Sequence, residues 1–484
     1  MISRRNMLLS TAALAAGGSV ATGAEDRPAL AQSATVPSDS PPLPPGEPGV
    51  HYNPVTVPNG ATLPYRLVDG VKVFHLIAEE IADHEFAPGL RCRVWGYNGR
   101  TPGPVIEAVE GDRVRIFVTN KLPEITSVHW HGVLLPSGMD GVAAISQPPI
   151  KPGETFKYEF TLRQHGTQMY HPHADEMIQI AMGMTGMFII HPRNPHPDVT
   201  PQVDRDFSLM LHEWKIEPGA SRPDPLEMTD FNVLTFNSKS FPGTAPLVVK
   251  KGDRVRIRLG NLGPMDHHPI HLHGYQFPIV ATDGGPIPVS ARIPVTTVLV
   301  PVGSTQTIEF VADEPGDWVM HCHMTHHMMN QMGHEFTNTL GMETQGLDGR
   351  LRKLLPGYMT MGHHGMGEMG EMGMPMPRNS IPMMGAHAQF GYTDMGGMFT
   401  ILKVREELTN YDQDPGWYQH PAGTVAGPAS PAELEMLGQP IPQRKPATLQ
   451  SQQPLYVCPM HEEVVQRGPG RCPRCKMALE PKTQ

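Results

Sequence analysis

Apolar and polar residues alternate along much of the chain with a period of two. The stretches VRIFVTN (114–120), FKYEFTL (156–162) and GMFIIHP (186–192) each place every second side chain on one face. So do VRIRLGN (255–261), TIEFVAD (307–313) and MFTILKV (398–404). That period belongs to half-buried strands, and the turn signals NGRTPG, KPG and EPGD separate them. The predicted fold class is all-β, built as antiparallel sandwiches of short strands.

The strand pattern occurs twice. GDRVRIFVTN at 111–120 returns as GDRVRIRLGN at 252–261, and SVHWHG at 127–132 as HPIHLHG at 268–274. QMYHPH at 168–173 is answered by WVMHCH at 318–323, and TGMFIIHP at 185–192 by GGMFTILKV at 396–404. The order is the same in both copies, so a unit of roughly 130 residues is duplicated. The copies differ after the third motif, where the second carries an insert of roughly 60 residues. Its centre is a methionine-rich run, GYMTMGHHGMGEMGEMGMPMPRNSIPMM at 357–384. Two readings stand for this insert. It is a flexible low-complexity loop, or its thioethers, soft ligands that select monovalent copper, recruit that ion.

The expected organisation is a signal peptide over 1–31, a Pro-rich linker over 32–65, a first sandwich over 66–198 and a second over 199–404. The insert occupies about 340–393, a second linker 405–455, and a small module 456–481. The segment MISRRNMLLSTAALAAGG places Arg4 and Arg5 before a mildly apolar run, with Ala29-Leu30-Ala31 as a cleavage site. This resembles a twin-arginine export signal and implies a periplasmic protein with no membrane span after processing. No other segment is long and apolar enough to span a membrane.

Composition narrows the chemistry. The net charge of -10 argues against a nucleic-acid partner. The 25 His and 31 Met are metal-ligand types in unusual number, and the five cysteines form no disulfide pattern. Four H-x-H pairs sit in register with the repeat: His129 and His131, His171 and His173, His271 and His273, His321 and His323. In a strand, residues i and i+2 face one way, so each pair can reach one metal site. Any one histidine is most simply a core residue, but eight in register are not. Cys322 with His268 and His327 offers a thiolate and two imidazoles, the donors of a blue-copper centre, and Met332 is the axial thioether candidate.

In their order along the chain, HWHG, HPH, HPIHLHG and HCHMTHHMMNQM resemble the motifs of the multicopper oxidases. The likeness covers about residues 70–404 and implies two Greek-key cupredoxin β-sandwich domains. It implies four copper ions. Type 1 copper would take His268, Cys322, His327 and Met332, and type 2 copper His129 and His271. The type 3 pair would take His131, His171, His173, His273, His321 and His323. Cys322 would then pass electrons through its neighbours His321 and His323. A donor is oxidised in one-electron steps and dioxygen is reduced to water. Asp140, in MDG, resembles the family's proton donor, whereas Asp175 and Glu176 are candidates to orient ligand histidines. His173 and His268 lie too close in sequence for an intervening domain, so the chain resembles two-domain members. That implies a homotrimer whose trinuclear sites lie between subunits. Two-domain nitrite reductases carry their type 1 cysteine in the first domain, and this chain does not.

Cys458, His461, Cys472 and Cys475 resemble a small heavy-metal-binding module, with Lys476 where a glycine is usual. Its thiolates suit zinc or Cu(I). Three functions remain open. The first is an exported copper oxidase whose donor is cuprous ion. The second is a laccase using phenolic or other small organic donors. The third is a copper store without turnover, which would have no use for the Cys322 relay.

Overall fold

The computed structural model describes residues 43–331, 354, 379–382, 385–438, 455–467 and 470–481. The export segment, Met332 and the methionines between 359 and 376, with Met383 and Met384, lie outside the described residues. The chain divides into two compact units between Gln419 and His420. No described helix is long and apolar enough to cross a membrane.

The first unit holds the two expected sandwiches, and their strand pairing shows the duplication directly. In the first copy, Val71–Ala87 runs parallel to Arg113–Asn120, which pairs antiparallel with Thr155–Thr161. In the second, Arg205–Trp214 runs parallel to Arg254–Asn261, which pairs antiparallel with Ser304–Val311. The facing sheets match too. Ile106–Val109 pairs with Gly186–His191 and that strand with Gly166–Tyr170; likewise Leu247–Lys250 pairs with Phe399–Arg405 and that strand with Gly316–Cys322. The sheets are therefore mixed, where alternation alone suggested antiparallel pairing. The reason is topological: strands that neighbour each other in one sheet are separated in sequence by a crossing to the other.

Period-two burial is clean in Arg113–Asn120, where Val114, Ile116 and Val118 are buried and the arginines are not. Outside, Glu159 clamps Arg113 and Arg115 at 2.9 and 2.7 Å, and Glu309 clamps Arg254 and Arg256 at 3.1 and 2.6 Å. In Arg254–Asn261 the alternation fails, because the far face is buried as well. There the two sandwiches meet through Met169, Met187, Met210 and Leu262. Arg258 crosses this seam, holding Asp206 with two 2.8 Å contacts and donating to Thr167 at 2.7 Å.

Two proline-rich segments expected as linkers make specific contacts. Along 43–65 the chain forms no long strand and turns at 47–52 and 57–60, yet Tyr52, Val55 and Leu63 are buried. Gly46 donates to Asp112, and Thr56 exchanges backbone hydrogen bonds with Asp206 and Ser208, so this strap touches both sandwiches. Past the last strand, Tyr411 stacks on Arg205 at 4.5 Å, Trp417 on Lys403 at 5.0 Å and Tyr418 on Arg405 at 5.5 Å.

The second unit contains a three-stranded sheet of Leu455–Cys458, His461–Arg467 and Glu480–Pro481. Its buried centre is Cys458, Cys472 and Leu479. So few apolar side chains make a thin core, of the kind that small domains supplement with a metal.

Candidate metal centre

Strand alternation sorts the second copy's ligands onto two faces. Along His268–Leu272, His268, Ile270 and Leu272 point into the core. His271 points the other way and meets His273 with ring centroids 4.9 Å apart. On the neighbouring strand Gly316–Cys322, Met320 and Cys322 face the core. His321 and His323 face the outer cluster, 5.7 and 5.5 Å from His271. The ladder pairs Ile270 with Cys322 and His271 with His321, which sets both groups at one level of the sheet.

Inside, Cys322 Sγ lies 3.7 Å from His268 Nδ1 and 3.4 Å from His327 Nδ1, and the two nitrogens are 3.3 Å apart. All three residues are buried. Burial pushes the Cys322 thiol up to about 12 and His327 down to about 4. A thiol so disfavoured as a free anion becomes a thiolate only by binding a cation, so the donor set fits a copper ion. Met332 lies outside the described residues. The loop carrying His327 is held from below: Met398 donates to the His327 carbonyl at 3.0 Å. Gly397 allows this contact. Its φ is +59°, and a Cβ there would stand 2.2 Å from the same oxygen.

A carboxylate stands behind each imidazole. Glu213 Oε2 is 3.3 Å from His268 Nε2, and Asp266 Oδ2 is 3.6 Å from His327 Nε2. Both leave Nδ1 to face the thiol. Burial alone would raise Glu213, but His268, His212 and the Asp266 amide hold it below the ordinary glutamate value. Sequence spacing missed both acids. Glu213 lies 55 residues from His268 on the facing sheet, and only the packing of the two sheets joins them.

The outer histidines form two quartets. In the first, His129, His131, His171 and His173 have ring centroids 5.3–6.2 Å apart. His131 Nδ1 and His171 Nε2 are 3.3 Å apart, as His273 Nε2 and His321 Nε2 are 3.2 Å apart. Two pairs of equivalent rings are oriented alike, whereas His131 turns Nδ1 and His273 turns Nε2 to its neighbour. His129 and His271 each direct Nδ1 at a carbonyl, Asp140 at 2.9 Å and Thr296 at 2.7 Å. His171 and His321 direct Nδ1 at the carbonyl of the next residue, Pro172 and Cys322, each at 2.9 Å. In all four the Nδ1 proton is held by a carbonyl, which leaves the Nε2 lone pair for a metal. Burial lowers His131, His273 and His321, and takes His171 to about 3, keeping these rings neutral and ligand-ready.

Of the candidate acids, Asp140 Oδ1 lies 3.4 Å from His129 Nδ1. Glu176 lies 3.4 Å from His171 Nδ1 and 3.6 Å from His173 Nε2. Asp175 instead opens the short helix Glu176–Ala181 in a left-handed conformation, with its side chain exposed. Among the described residues every ring contact of these eight histidines stays within its own quartet. His131 meets Gly303 and Asp283 of the second sandwich, not its histidines.

In the second unit, one donor atom from each of Cys458, His461, Cys472 and Cys475 lies within 4.8 Å of the others. Met460 and Met477 are exposed, so the set is three sulfurs and one imidazole. Burial acts to raise the Cys472 thiol, but the amides of Cys475 and Arg474 and the neighbouring thiols bring it down to about 6. A thiolate at neutral pH suits zinc or Cu(I).

A multicopper oxidase family model matches residues 81–195, and a second matches 217–341, which takes in His268, His271, His273, His321, Cys322, His323 and His327. The chain belongs to the multicopper oxidases. A heavy metal binding domain model matches residues 455–482. Among curated relatives, Copper resistance protein A of Escherichia coli is 27% identical over 391 residues, 68% of this chain and 62% of that protein. Laccase-1 of Fomitopsis schrenkii is 32% identical over 198 residues, 38% of this chain and 36% of that one. The chain thus spans less than two thirds of these relatives. Among solved structures, the blue copper oxidase from Nitrosomonas europaea aligns with TM-score 0.51 and 29% identity, over 69% of this chain and 85% of that one. The multicopper oxidase mgLAC aligns with TM-score 0.53 and 26% identity, over 72% and 96%.

Proposed function

We propose that this multicopper oxidase is an exported cuprous oxidase that serves copper tolerance. One observation carries the oxidase reading: Cys322 faces a buried pair of imidazoles, while its chain neighbours His321 and His323 emerge on the opposite face in a histidine quartet. Copper bound at these positions supplies one-electron oxidation of the donor at the thiolate site and four-electron reduction of dioxygen to water at the imidazole cluster. His268, Cys322 and His327, with Met332, hold the type 1 ion. His129 and His271 hold type 2, and the other six outer histidines hold the type 3 pair. Asp140 and Glu176 stand where a carboxylate can hold a proton beside His129 and His171.

The separation of the quartets supports a ring of subunits, a homotrimer, in which the first quartet of one subunit meets the second of its neighbour. Exposed apolar residues favour such a contact: Ile145 and Met177 close in sequence to Ala143 and Glu176 at the first quartet, and Leu299 paired with Pro269 near the second. Mixing a His131→Ala chain with a His273→Ala chain tests this, since only inter-subunit sites restore some activity on mixing.

Cuprous ion is favoured as donor by the second unit's three-sulfur site and by the methionine-rich insert. Tolerance is further supported by the likeness to Copper resistance protein A. The laccase reading keeps the same sites with a phenolic donor. Oxygen consumption by the copper-loaded protein, with cuprous ion and with a phenol side by side, decides between them. Faster turnover of cuprous ion supports the proposal and faster phenol turnover the laccase reading. No uptake with any donor supports storage.

A further inference from the structure

We propose that Glu213 is a positioning residue for the type 1 copper, and that its buried negative charge stabilises the cupric over the cuprous state. The inference rests on His268, Cys322 and His327 being the type 1 site. Its foundation is the environment of one side chain. Glu213 is 0% exposed, and a carboxylate in a dry interior is costly without a compensating positive charge. Among the described residues no lysine or arginine pairs with it, and its ion-pairing partner is His268. Oε1 accepts from the amides of Met265 at 2.6 Å and Asp266 at 2.8 Å, which fixes the carboxyl plane and leaves Oε2 to His268 Nε2. The positive charge that would balance Glu213 is then the metal on the other side of the ring.

The duplicated fold supplies an internal control. Ladder register pairs Ala78 with Asn120 in the first copy and Leu211 with Asn261 in the second, so Glu80 and Glu213 occupy equivalent positions. Thr126 stands where the second copy has His268. Without an imidazole in front of it, Glu80 is exposed and accepts from Trp95 Nε1 at 3.2 Å. The backbone has also been cleared for Glu213. Two residues after the paired asparagines, the first copy has Leu122 and the second Gly263. A Cβ on Gly263 would stand 1.8 Å from Glu213 Oε2. Glycine at that point keeps the carboxylate against the ring.

The charge acts on the ion through His268. A carboxylate accepting from Nε2 makes Nδ1 a stronger donor and favours the higher oxidation state. The test is a spectroelectrochemical titration of the copper-loaded full chain and of its Glu213→Gln, Glu213→Asp and Glu80→Gln variants. In Glu213→Gln the blue absorption persists. At a fixed solution potential its cuprous-to-cupric ratio rises roughly tenfold or more, 59 mV per decade for a one-electron couple. Glu213→Asp shifts less than half as far, and Glu80→Gln does not shift. A Glu213→Gln protein that cannot hold type 1 copper, beside a Glu213→Asp protein that does, also supports the proposal. An unchanged ratio in Glu213→Gln, or Gln and Asp variants that shift or fail alike, overturns it and leaves Glu213 a packing element. Absence of blue absorption in the unsubstituted protein would defeat the type 1 assignment itself, a separate result.

Discussion

The two sandwiches share one scaffold and differ in what fills one pocket. Asn120 and Asn261 make the same bonds, receiving from Leu122 and Gly263 at 2.8 and 3.0 Å and donating to the carbonyls of Glu124 and Ile150, or Asp266 and Val300. Against that constant frame, His268 replaces Thr126 and Cys322 replaces Pro172. The first copy fills the space with a hydrogen-bonded pair, Thr126 Oγ1 donating to buried Gln179 at 2.7 Å. The outer quartet is kept in both. A candidate metal pocket inside a sandwich and a histidine face outside it are therefore separable features, and Cys322 is what distinguishes the domains. Cys322→Ser breaks that distinction. It removes the intense visible absorption and the turnover of either donor, while Pro172→Ala in the first copy leaves the absorption in place.

The converse experiment attacks the first copy's filling. Gln179 also donates to the Ile125 carbonyl at 2.8 Å. Gln179→Leu takes the 2.7 Å partner from the buried Thr126 hydroxyl, while the exposed Ile125 carbonyl turns to water, so the cost is about 1–3 kcal/mol for the one buried group. Denaturant unfolding reads the loss, and the type 1 absorption stays. An unchanged midpoint would show that the first pocket is held by its apolar walls instead.

How far this contrast was readable in advance follows from which forces act along the chain and which across it. Alternation exposed the strands, and H-x-H spacing placed His271 and His273 on one face because a strand's period is fixed locally. Cys322 was legible because its neighbours are its chemical partners. Glu213 and Asp266 were not, since Glu213 reaches His268 from the facing sheet and Asp266 reaches His327 from a loop, each partner far away along the chain. Composition marked 43–65 and 405–419 as linkers. The segments form no long strand or helix, yet Tyr52 is buried and Tyr411 stacks on Arg205, contacts that no local pattern announces.

The arginine clamps allow a gentler comparison between the copies. Side-chain bonds from Arg115 and Arg113 bring Glu159 to about 2, against an ordinary glutamate value near 4.5. A depressed carboxyl stabilises the fold above its unfolded value, and that contribution is lost as pH falls toward the folded one. The arginines are about one third exposed, so solvent screens the pair. Glu159→Gln then costs about 1–2 kcal/mol at pH 7. Its unfolding curve converges on that of the unsubstituted protein between pH 4.5 and pH 2. A difference that persists undiminished at pH 2 would mean that Glu159 acts by packing.

The smallest effect on oxidase chemistry is expected from the second unit, whose site shares no ligand with either sandwich. Cys458 Sγ and Cys475 Sγ are 3.6 Å apart, and His461 Nδ1 lies 3.7 Å from the sulfurs of Cys458 and Cys472. Replacing Cys475 with serine leaves two thiolates and an imidazole, too few to close a four-coordinate site. We expect Cys475→Ser to lose the module's metal on dialysis while its type 1 absorption and steady-state oxygen uptake with excess cuprous ion stay unchanged. Under limiting cuprous ion the outcome separates two roles. A zinc clip that only shapes the module leaves the rate as it was, whereas a site that captures Cu(I) for the sandwiches lowers it. Metal analysis of the unsubstituted chain, showing zinc or copper at that site, must agree with whichever rate is found.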